Sequence, residues 1–173
     1  MTIIPDDKDW TWVLERPCLE CGFDARDIGM QDIPSLLGKL AGSWQEVLLR
    51  ADVARRPSPD KWSPLEYSCH VRDVFRLFDK RLQSMMLEDG AHFENWDQDR
   101  TAVEDRYDLR VPSVVSRELS DASEVLAHRF ARVDGSQWEH RGRRSNGSEF
   151  TVATLATYLA HDPIHHLWDV EVT

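Results

Sequence analysis

The sequence predicts an all-α protein, a four-helix bundle with one long crossover connection. In this chain of 173 residues, four segments carry apolar residues at the three- and four-residue spacing of amphipathic helices. A capping side chain or a proline in the first turn marks the start of three of them. A polar stretch over residues 90–112 separates the second segment from the third, which favours a crossover topology. No strand-like alternation competes with this interpretation.

Residues 1–31 are predicted to form an irregular lead-in, and residues 32–173 the bundle domain. No helical period persists in the lead-in, although its aromatic residues could pack on the bundle. It contains Cys18 and Cys21 as a single C-x2-C pair. Without a second such pair or a βαβ context, we interpret both as reduced thiols rather than as a zinc or redox motif. A zinc site shared with distant histidines is the alternative.

The first helix is predicted over about residues 33–50. Asp32 is its expected N-cap, and Pro34 lies in the first turn, where its missing N–H costs little. The apolar residues that follow at helical spacing are Ile33, Leu36, Leu37, Leu40, Trp44, Val47 and Leu48. An arginine- and proline-containing run at residues 55–60 ends the pattern.

The second helix has the clearest start signal in the chain. Ser63 and Glu66 have the spacing of a capping box, with Pro64 at the first helical position. One stripe then runs towards a stop at Gly90 and consists of Tyr67, His70, Val71, Val74, Leu77, Phe78, Leu82 and Met85. Because His70 belongs to this stripe, its ring is expected to point into the bundle.

The second half of the chain supplies the other two helices. The third is predicted over residues 113–133, after a crossover that holds at most a short helix. The fourth is capped by Thr151 and runs to about residue 170, with Pro163 as an expected kink. Between them, Asn146-Gly147 is a turn signal that could close a small hairpin.

The fourth helix carries the main chemical signal. His161 and His165 are four residues apart, so both rings lie on one helix face, one turn apart. This is the geometry by which a helix offers two imidazoles to one metal ion. A third ligand must come from another element, and His70 is the best candidate because of its inward position. Three neutral imidazoles leave room for water or substrate, as in a catalytic site.

Other interpretations of these polar residues stay open. A histidine near an apolar face is more often a hydrogen-bonded core residue than a ligand. His166 is a rival ligand, since it falls on the leucine side of the helix and could pair with Asp162. Asp73 and Asp162 are candidates for orienting a ligand imidazole, or else ordinary solvated carboxylates. The arginines at residues 141–144 could bind an anionic substrate at a cavity mouth or be solvated surface.

Composition and charge argue against several classes of partner. The formal net charge of -10 disfavours nucleic acid and an anionic membrane surface. No apolar run is long enough to span a bilayer. Residues 1–9 lack the basic and apolar regions of a signal peptide. With three cysteines, too few for a disulfide scaffold, a cytoplasmic location is expected.

Two segments resemble motifs of one known superfamily. Residues 62–73, WSPLEYSCHVRD, resemble the W-S-x-x-E-x-x-x-H-x-x-D segment of the DinB/YfiT-like superfamily, and residues 158–166, YLAHDPIHH, resemble its closing H-D-x-x-H-H motif. Residues 95–99 resemble an actinobacterial branch of it. The resemblance covers about residues 32–172. It implies a bundle in up-down-down-up order and a metal held by His70, His161 and His165, with Pro163 as a departure between two ligands.

The resemblance also implies a function. The superfamily includes the N-terminal domain of mycothiol-dependent maleylpyruvate isomerase, and its characterised members are transferases or isomerases that use mycothiol, bacillithiol or glutathione. We therefore expect a divalent metal ion, zinc or nickel before iron, with a small-molecule substrate and a low-molecular-weight thiol. Metal-dependent hydrolysis and a non-enzymatic metal-binding or stress-response role are the alternatives. A homodimer through an exposed helix face is a further open expectation.

Overall fold

A computed structural model describes residue 3 and residues 8–172 of the chain. The start of the chain, expected above not to be a signal peptide, therefore lies largely outside the described residues. The same holds for residue 173, the last residue of the predicted bundle domain. No helix within the described part of the chain is both long and apolar enough to cross a membrane.

Four long helices build the body of the protein. They are α1 (Ile33–Leu48), α2 (Pro64–Leu87), α4 (Pro112–Phe130) and α5 (Val152–Glu171), and a short α3 (Gln98–Glu104) lies in the crossover. α4 packs against both α1 and α2, and α5 also contacts both of them. The predicted four-helix bundle is thereby confirmed, with helix ends within three residues of those expected.

The core consists of one apolar stripe from each long helix. These stripes are buried and include Leu37, Trp44, Phe75, Leu82, Leu119, Leu126, Leu155 and Leu159. The indole Nε1–H of Trp44 donates to the carbonyl oxygen of Pro163 at 3.2 Å, so α1 is tied to the middle of α5. Burying this indole is favourable because its one donor keeps a partner.

The start of α2 forms as the sequence predicts. The hydroxyl of Ser63 accepts the backbone N–H of Glu66 at 3.2 Å, and the Glu66 carboxylate accepts the backbone N–H of Ser63 at 2.8 Å. Arg56 also pairs with this carboxylate. The capping box fixes where α2 begins, and therefore which residues face inwards. His70 follows one turn later and is fully buried.

A small sheet closes one part of the structure. β1 (Ala91–Phe93) pairs in parallel with β2 (Arg141–Arg144), and β2 pairs antiparallel with β3 (Glu149–Thr151). The predicted hairpin is therefore confirmed, with Gly147 at φ +96° in its turn. β1 was not predicted, because three residues are too short to show an alternating pattern. Gly142 is required in β2, since a Cβ there would lie 2.6 Å from the Phe93 ring.

The lead-in is irregular, as expected, yet it is packed against the bundle. Its described residues form three short 3-10 helices, Trp10–Leu14, Ala25–Asp27 and Met30–Asp32. A separate small core joins this segment to α5 and includes Val13, Cys18, Phe23 and Ala160. Asp32 occupies the N-cap position of α1, as predicted, but its side chain makes no capping hydrogen bond.

We predict that Ser63→Ala lowers the free energy of unfolding by about 1 kcal/mol, because the first turn of α2 loses its capping acceptor. Urea denaturation of the variant and the parent protein measures this difference. Ser43→Ala is the matched control, since Ser43 is exposed and bonds only a carbonyl of its own helix. Equal losses in the two variants would contradict a special role for the capping box.

Candidate metal centre

In the part of the chain that the structure describes, two groups of potential metal ligands meet at α5. His70, Asp162 and His166 form one group, called here the bundle cluster. Cys18, Cys21, His161 and His165 form the other, called the lead-in cluster. In each group, one ligand atom from every residue lies within 4.8 Å of the others.

The structure divides the predicted ligand set between these clusters. His161 and His165 share a face of α5, as expected, and His70 points inwards, as expected. However, the two histidines of α5 face the lead-in, whereas His70 meets the next face of the helix, which carries Asp162 and His166. Among the described residues, no ligand group unites His70 with His161 and His165.

The bundle cluster is arranged around the carboxylate of Asp162. Its Oδ2 lies 3.3 Å from Nε2 of His70 and 3.9 Å from Nε2 of His166. The two imidazole rings are nearly perpendicular, with centroids 4.9 Å apart. Asp162 was predicted to orient a ligand from outside the centre, and the structure instead puts it between the two rings.

Two buried atoms of this cluster have no hydrogen-bond partner among the described residues. They are Nδ1 of His70 and Oδ1 of Asp162. Buried polar atoms almost always have a partner, so such a pair of orphans needs an explanation. A divalent cation held by Nε2 of His70, Nε2 of His166 and Asp162 would supply a partner for Oδ1 of Asp162, because imidazole nitrogen and carboxylate oxygen are both good ligands for zinc, nickel and iron. The residues present therefore fit a metal ion.

Neighbouring side chains hold both rings in place. Nδ1 of His166 lies 2.8 Å from Oδ2 of Asp169, which assigns the proton to Nδ1 and leaves Nε2 turned towards Asp162. The ring of Trp96 stacks on His70 at 5.3 Å with an 11° interplanar angle. Trp62 packs against His70 at 5.4 Å. The ligands are thus pre-positioned by packing.

The charge of Asp162 is favoured by its neighbours. Burial alone would raise its pKa, but the nearby imidazoles of His70 and His166 outweigh burial and lower the pKa to about 2. At neutral pH the cluster therefore contains a carboxylate and is attractive to a cation.

The lead-in cluster joins the two cysteines to the other face of α5. Sγ of Cys18 lies 3.7 Å from Nδ1 of His165. Burial, together with the nearby His165, lowers the pKa of His161 to about 4, so its ring is neutral at pH 7. Burial raises the pKa of Cys21 to about 11, which makes it a poor nucleophile in the absence of a metal.

Asp73 does not orient a histidine, so this part of the prediction needs correction. Its carboxylate accepts hydrogen bonds from Arg72 at 2.7 and 2.9 Å, from Arg76 at 3.2 Å and from the hydroxyl of Tyr107 at 2.5 Å. Arg72 is 2% exposed and also pairs with Glu118. Asp73 therefore neutralises a buried guanidinium, a role that spacing from His70 could not reveal.

A cavity of about 920 Å³ opens beside both clusters. Asp162, His166, His161 and His165 contribute to its lining. The other walls come from three places: residues 8–10 of the lead-in, the crossover from Asn95 into α3, and the hairpin residues Arg144 and Asn146. The segment that resembles an actinobacterial branch, residues 95–99, thus lines the cavity, as does one arginine of the cluster at 141–144.

One signal in the sequence could have identified the bundle cluster. Leu155, Leu159, Asp162, His166 and Val170 recur at spacings of three and four residues, so they form one stripe. Leu155 and Leu159 are buried in the core. The polar pair is therefore the continuation of the core-facing stripe, and it is this stripe that meets His70.

We predict that Asp73→Asn lowers the free energy of unfolding by about 2 kcal/mol at pH 7, because a buried charged partner of Arg72 is lost. Burial alone would raise the pKa of Asp73, yet hydrogen bonds from Arg72 and Tyr107 hold it below the ordinary 3.8. A depressed native pKa stabilises the fold above the unfolded-state pKa, and this contribution disappears as the pH falls through the native pKa. The difference between variant and parent should thus narrow below about pH 4.

Urea denaturation across this pH range checks the stability, and elemental analysis checks the metal content of Asp73→Asn. Asp121→Asn, at an exposed position of α4, is the control and should change neither. A loss of metal in Asp73→Asn without a loss of stability would support the first prediction, in which Asp73 orients a ligand histidine.

Comparison with known proteins agrees with this architecture. The family model of the DinB superfamily matches residues 46–170. Among solved structures, YfiT from Bacillus subtilis is similar with a TM-score of 0.72 and 12% identity, over 83% of this chain and 86% of that chain. YfiT is described as a probable metal-dependent hydrolase with an unusual four-helix bundle topology. No curated protein matches. The match over residues 46–170 spans most of the chain, which therefore belongs to the DinB superfamily.

Proposed function

We propose that this protein is a divalent-metal-dependent enzyme whose metal is held by His70, Asp162 and His166. The observation that carries the proposal is the convergence of these three ligands, two of which, Asp162 and His166, line a polar cavity of about 920 Å³. Oδ1 of Asp162 is buried and lacks a partner among the described residues, which is a cost that a bound cation would remove. A purely structural site would need no such cavity.

The donor set suits zinc, nickel or iron. Two imidazoles and one carboxylate are a common catalytic set, with further positions left for water or substrate. When bound, such an ion lowers the pKa of a thiol or a water molecule that occupies an open position. The protein's part is to fix this geometry, which Asp169 does by holding the Nδ1 proton of His166 and Trp96 does by stacking on His70.

The proposed reaction uses a low-molecular-weight thiol of the mycothiol type. The thiol is either joined to the substrate, as in a transferase, or assists its isomerisation, as in an isomerase. Such thiols carry several polar groups, and the cavity lining is correspondingly polar. Carboxylates outnumber cations in this lining. The cations are Lys8, Arg100 and Arg144, and the carboxylates are Asp9, Asp97, Asp99, Glu104 and Asp162. The three free cysteines among the described residues support a cytoplasmic location, where such thiols are kept reduced.

Metal-dependent hydrolysis is the second candidate. The specific observation in its favour is the donor set itself, because a two-histidine, one-carboxylate centre is the one with which many zinc hydrolases activate water. The fold is shared with YfiT, a probable metal-dependent hydrolase. A non-enzymatic metal-binding or stress-response role is the remaining alternative, and it leaves the cavity without a purpose.

We predict that His166→Ala abolishes binding of Mn²⁺, used as a probe because it prefers nitrogen and oxygen ligands to thiolate. His165→Ala is the matched control, since it removes the adjacent ring of the same helix but leaves the bundle cluster intact. Electron paramagnetic resonance of free Mn²⁺ measures binding in each variant. The reverse pattern, loss with His165→Ala and retention with His166→Ala, would favour His70, His161 and His165 as the ligand set.

We also predict metal-dependent conjugation of a thiol. The metal-loaded protein, given glutathione, bacillithiol or mycothiol and a panel of electrophilic substrates, should consume thiol and electrophile together. Asp162→Ala should lose this activity, because the centre loses its carboxylate ligand, whereas His92→Ala, at an exposed position of β1, should keep it. Thiol-independent, metal-dependent cleavage of ester or amide substrates would instead select hydrolysis.

A further inference from the structure

We propose that the lead-in cluster is a second metal site, in which Cys18, Cys21, His161 and His165 hold one structural zinc ion. Four ligands of the Cys2His2 type satisfy a tetrahedral zinc completely, which distinguishes this site from the open centre proposed for catalysis. The two sites share no ligand, so this inference stands whether or not the proposed function is correct.

The spacing of the ligand atoms fits this ion. In a tetrahedral site with Zn–S near 2.3 Å and Zn–N near 2.0 Å, a sulfur and a nitrogen lie about 3.5 Å apart. Sγ of Cys18 and Nδ1 of His165 are separated by 3.7 Å. All four ligand atoms lie within 4.8 Å of one another, so only small side-chain adjustments would close the set.

The histidines are prepared as ligands. Nε2 of His161 is buried and has no hydrogen-bond partner among the described residues, and the whole residue is only 4% exposed. The remote nitrogen of His165, Nε2, lies 3.5 Å from a carboxylate oxygen of Glu20. A carboxylate on the far side of an imidazole is the usual partner of a metal-bound histidine, because it fixes the tautomer that leaves the other nitrogen free.

The backbone around the cysteines is shaped to bring both sulfurs to one point. The N–H of Gly22 donates to the carbonyl of Cys18 at 2.9 Å, and the N–H of Cys18 donates to the carbonyl of Phe23 at 2.8 Å. Gly22 has φ +75°, a left-handed conformation that side chains disfavour. This turn folds Cys21 back beside Cys18, as a shared metal requires.

Aromatic rings shield the site from solvent. Trp10 packs on His161 and His165, with centroids 5.2 and 4.8 Å away, and Phe23 contacts His161 edge-on at 5.2 Å. A zinc ion bound here would anchor the lead-in to α5 through four bonds. Since residues 8–10 line the cavity, this anchor would also hold one wall of the proposed catalytic site.

The test is cobalt substitution of the purified, reduced full-length protein. Co²⁺ bound by cysteine gives a thiolate-to-cobalt charge-transfer band in the near ultraviolet, which histidine and carboxylate ligands do not give. The parent protein should show this band, and Cys21→Ser should lose roughly half of it or more, because one of two thiolates is removed. Cys69→Ala, which removes the third cysteine, and His166→Ala should retain the band in full.

A second measurement covers variants that fold poorly. Removing the metal from the parent protein with a chelator should speed trypsin cleavage after Arg26 several-fold, and added Zn²⁺ should reverse it, since local opening exposes the lead-in. Cys21→Ser should cleave fast with or without chelator. A parent protein without a thiolate band, or a full band in Cys21→Ser, would overturn the proposal. Loss of Mn²⁺ binding in His166→Ala with the band intact would support both claims, because it would show that the two sites bind metal independently.

Discussion

Both clusters depend on one constraint, which is the orientation of α5 about its own axis. Adjacent residues of a helix point about 100° apart. Consequently His161 and His165 look towards the lead-in, whereas Asp162 and His166 look towards His70. The capping box at Thr151 and the hydrogen bond from Trp44 to Pro163 fix this orientation. The leucines of the core-facing stripe also fix it, because they are buried against the other helices. A rotation of α5 by one residue, about 100°, would bring one of these pairs to the partners of the other pair and would turn that other pair away from both clusters.

The fold could be predicted from the sequence because its signals are local. Helical periodicity, the Ser63 capping box and the turn at Gly147 each depend on residues within a few positions of one another, and each is found in the structure. Strand β1 was missed because its pairing partner lies about 50 residues away in the chain. β1 is extended because it pairs with β2, and not because its own three residues favour a strand.

The candidate centres could be predicted only in part, for a related reason. Periodicity showed that His161 and His165 share a face and that His70 points inwards, but not which face of α5 meets α2. That depends on the position of the lead-in, which has no helical periodicity in its sequence. Its Cys18 contacts His165, which is 147 residues away in the chain. Asp73 illustrates the same limit, since its partner Tyr107 belongs to another element. Whether metals occupy the two clusters stays a prediction.

The parallel pairing of β1 with β2 has a consequence for the order of folding. Asn95 donates its backbone N–H to the Ser145 hydroxyl at 2.8 Å, so the crossover that carries Trp96 is fastened to the hairpin. The bundle helices are built from local contacts, which form early, whereas this fastening must wait until α4 has been made and the chain has returned. The entropy cost of closing so long a loop is modest, but no stabilising contact forms until the two ends of the loop meet. We therefore expect a newly synthesised chain to acquire its helices first and its binding pocket last, with no competent site in between.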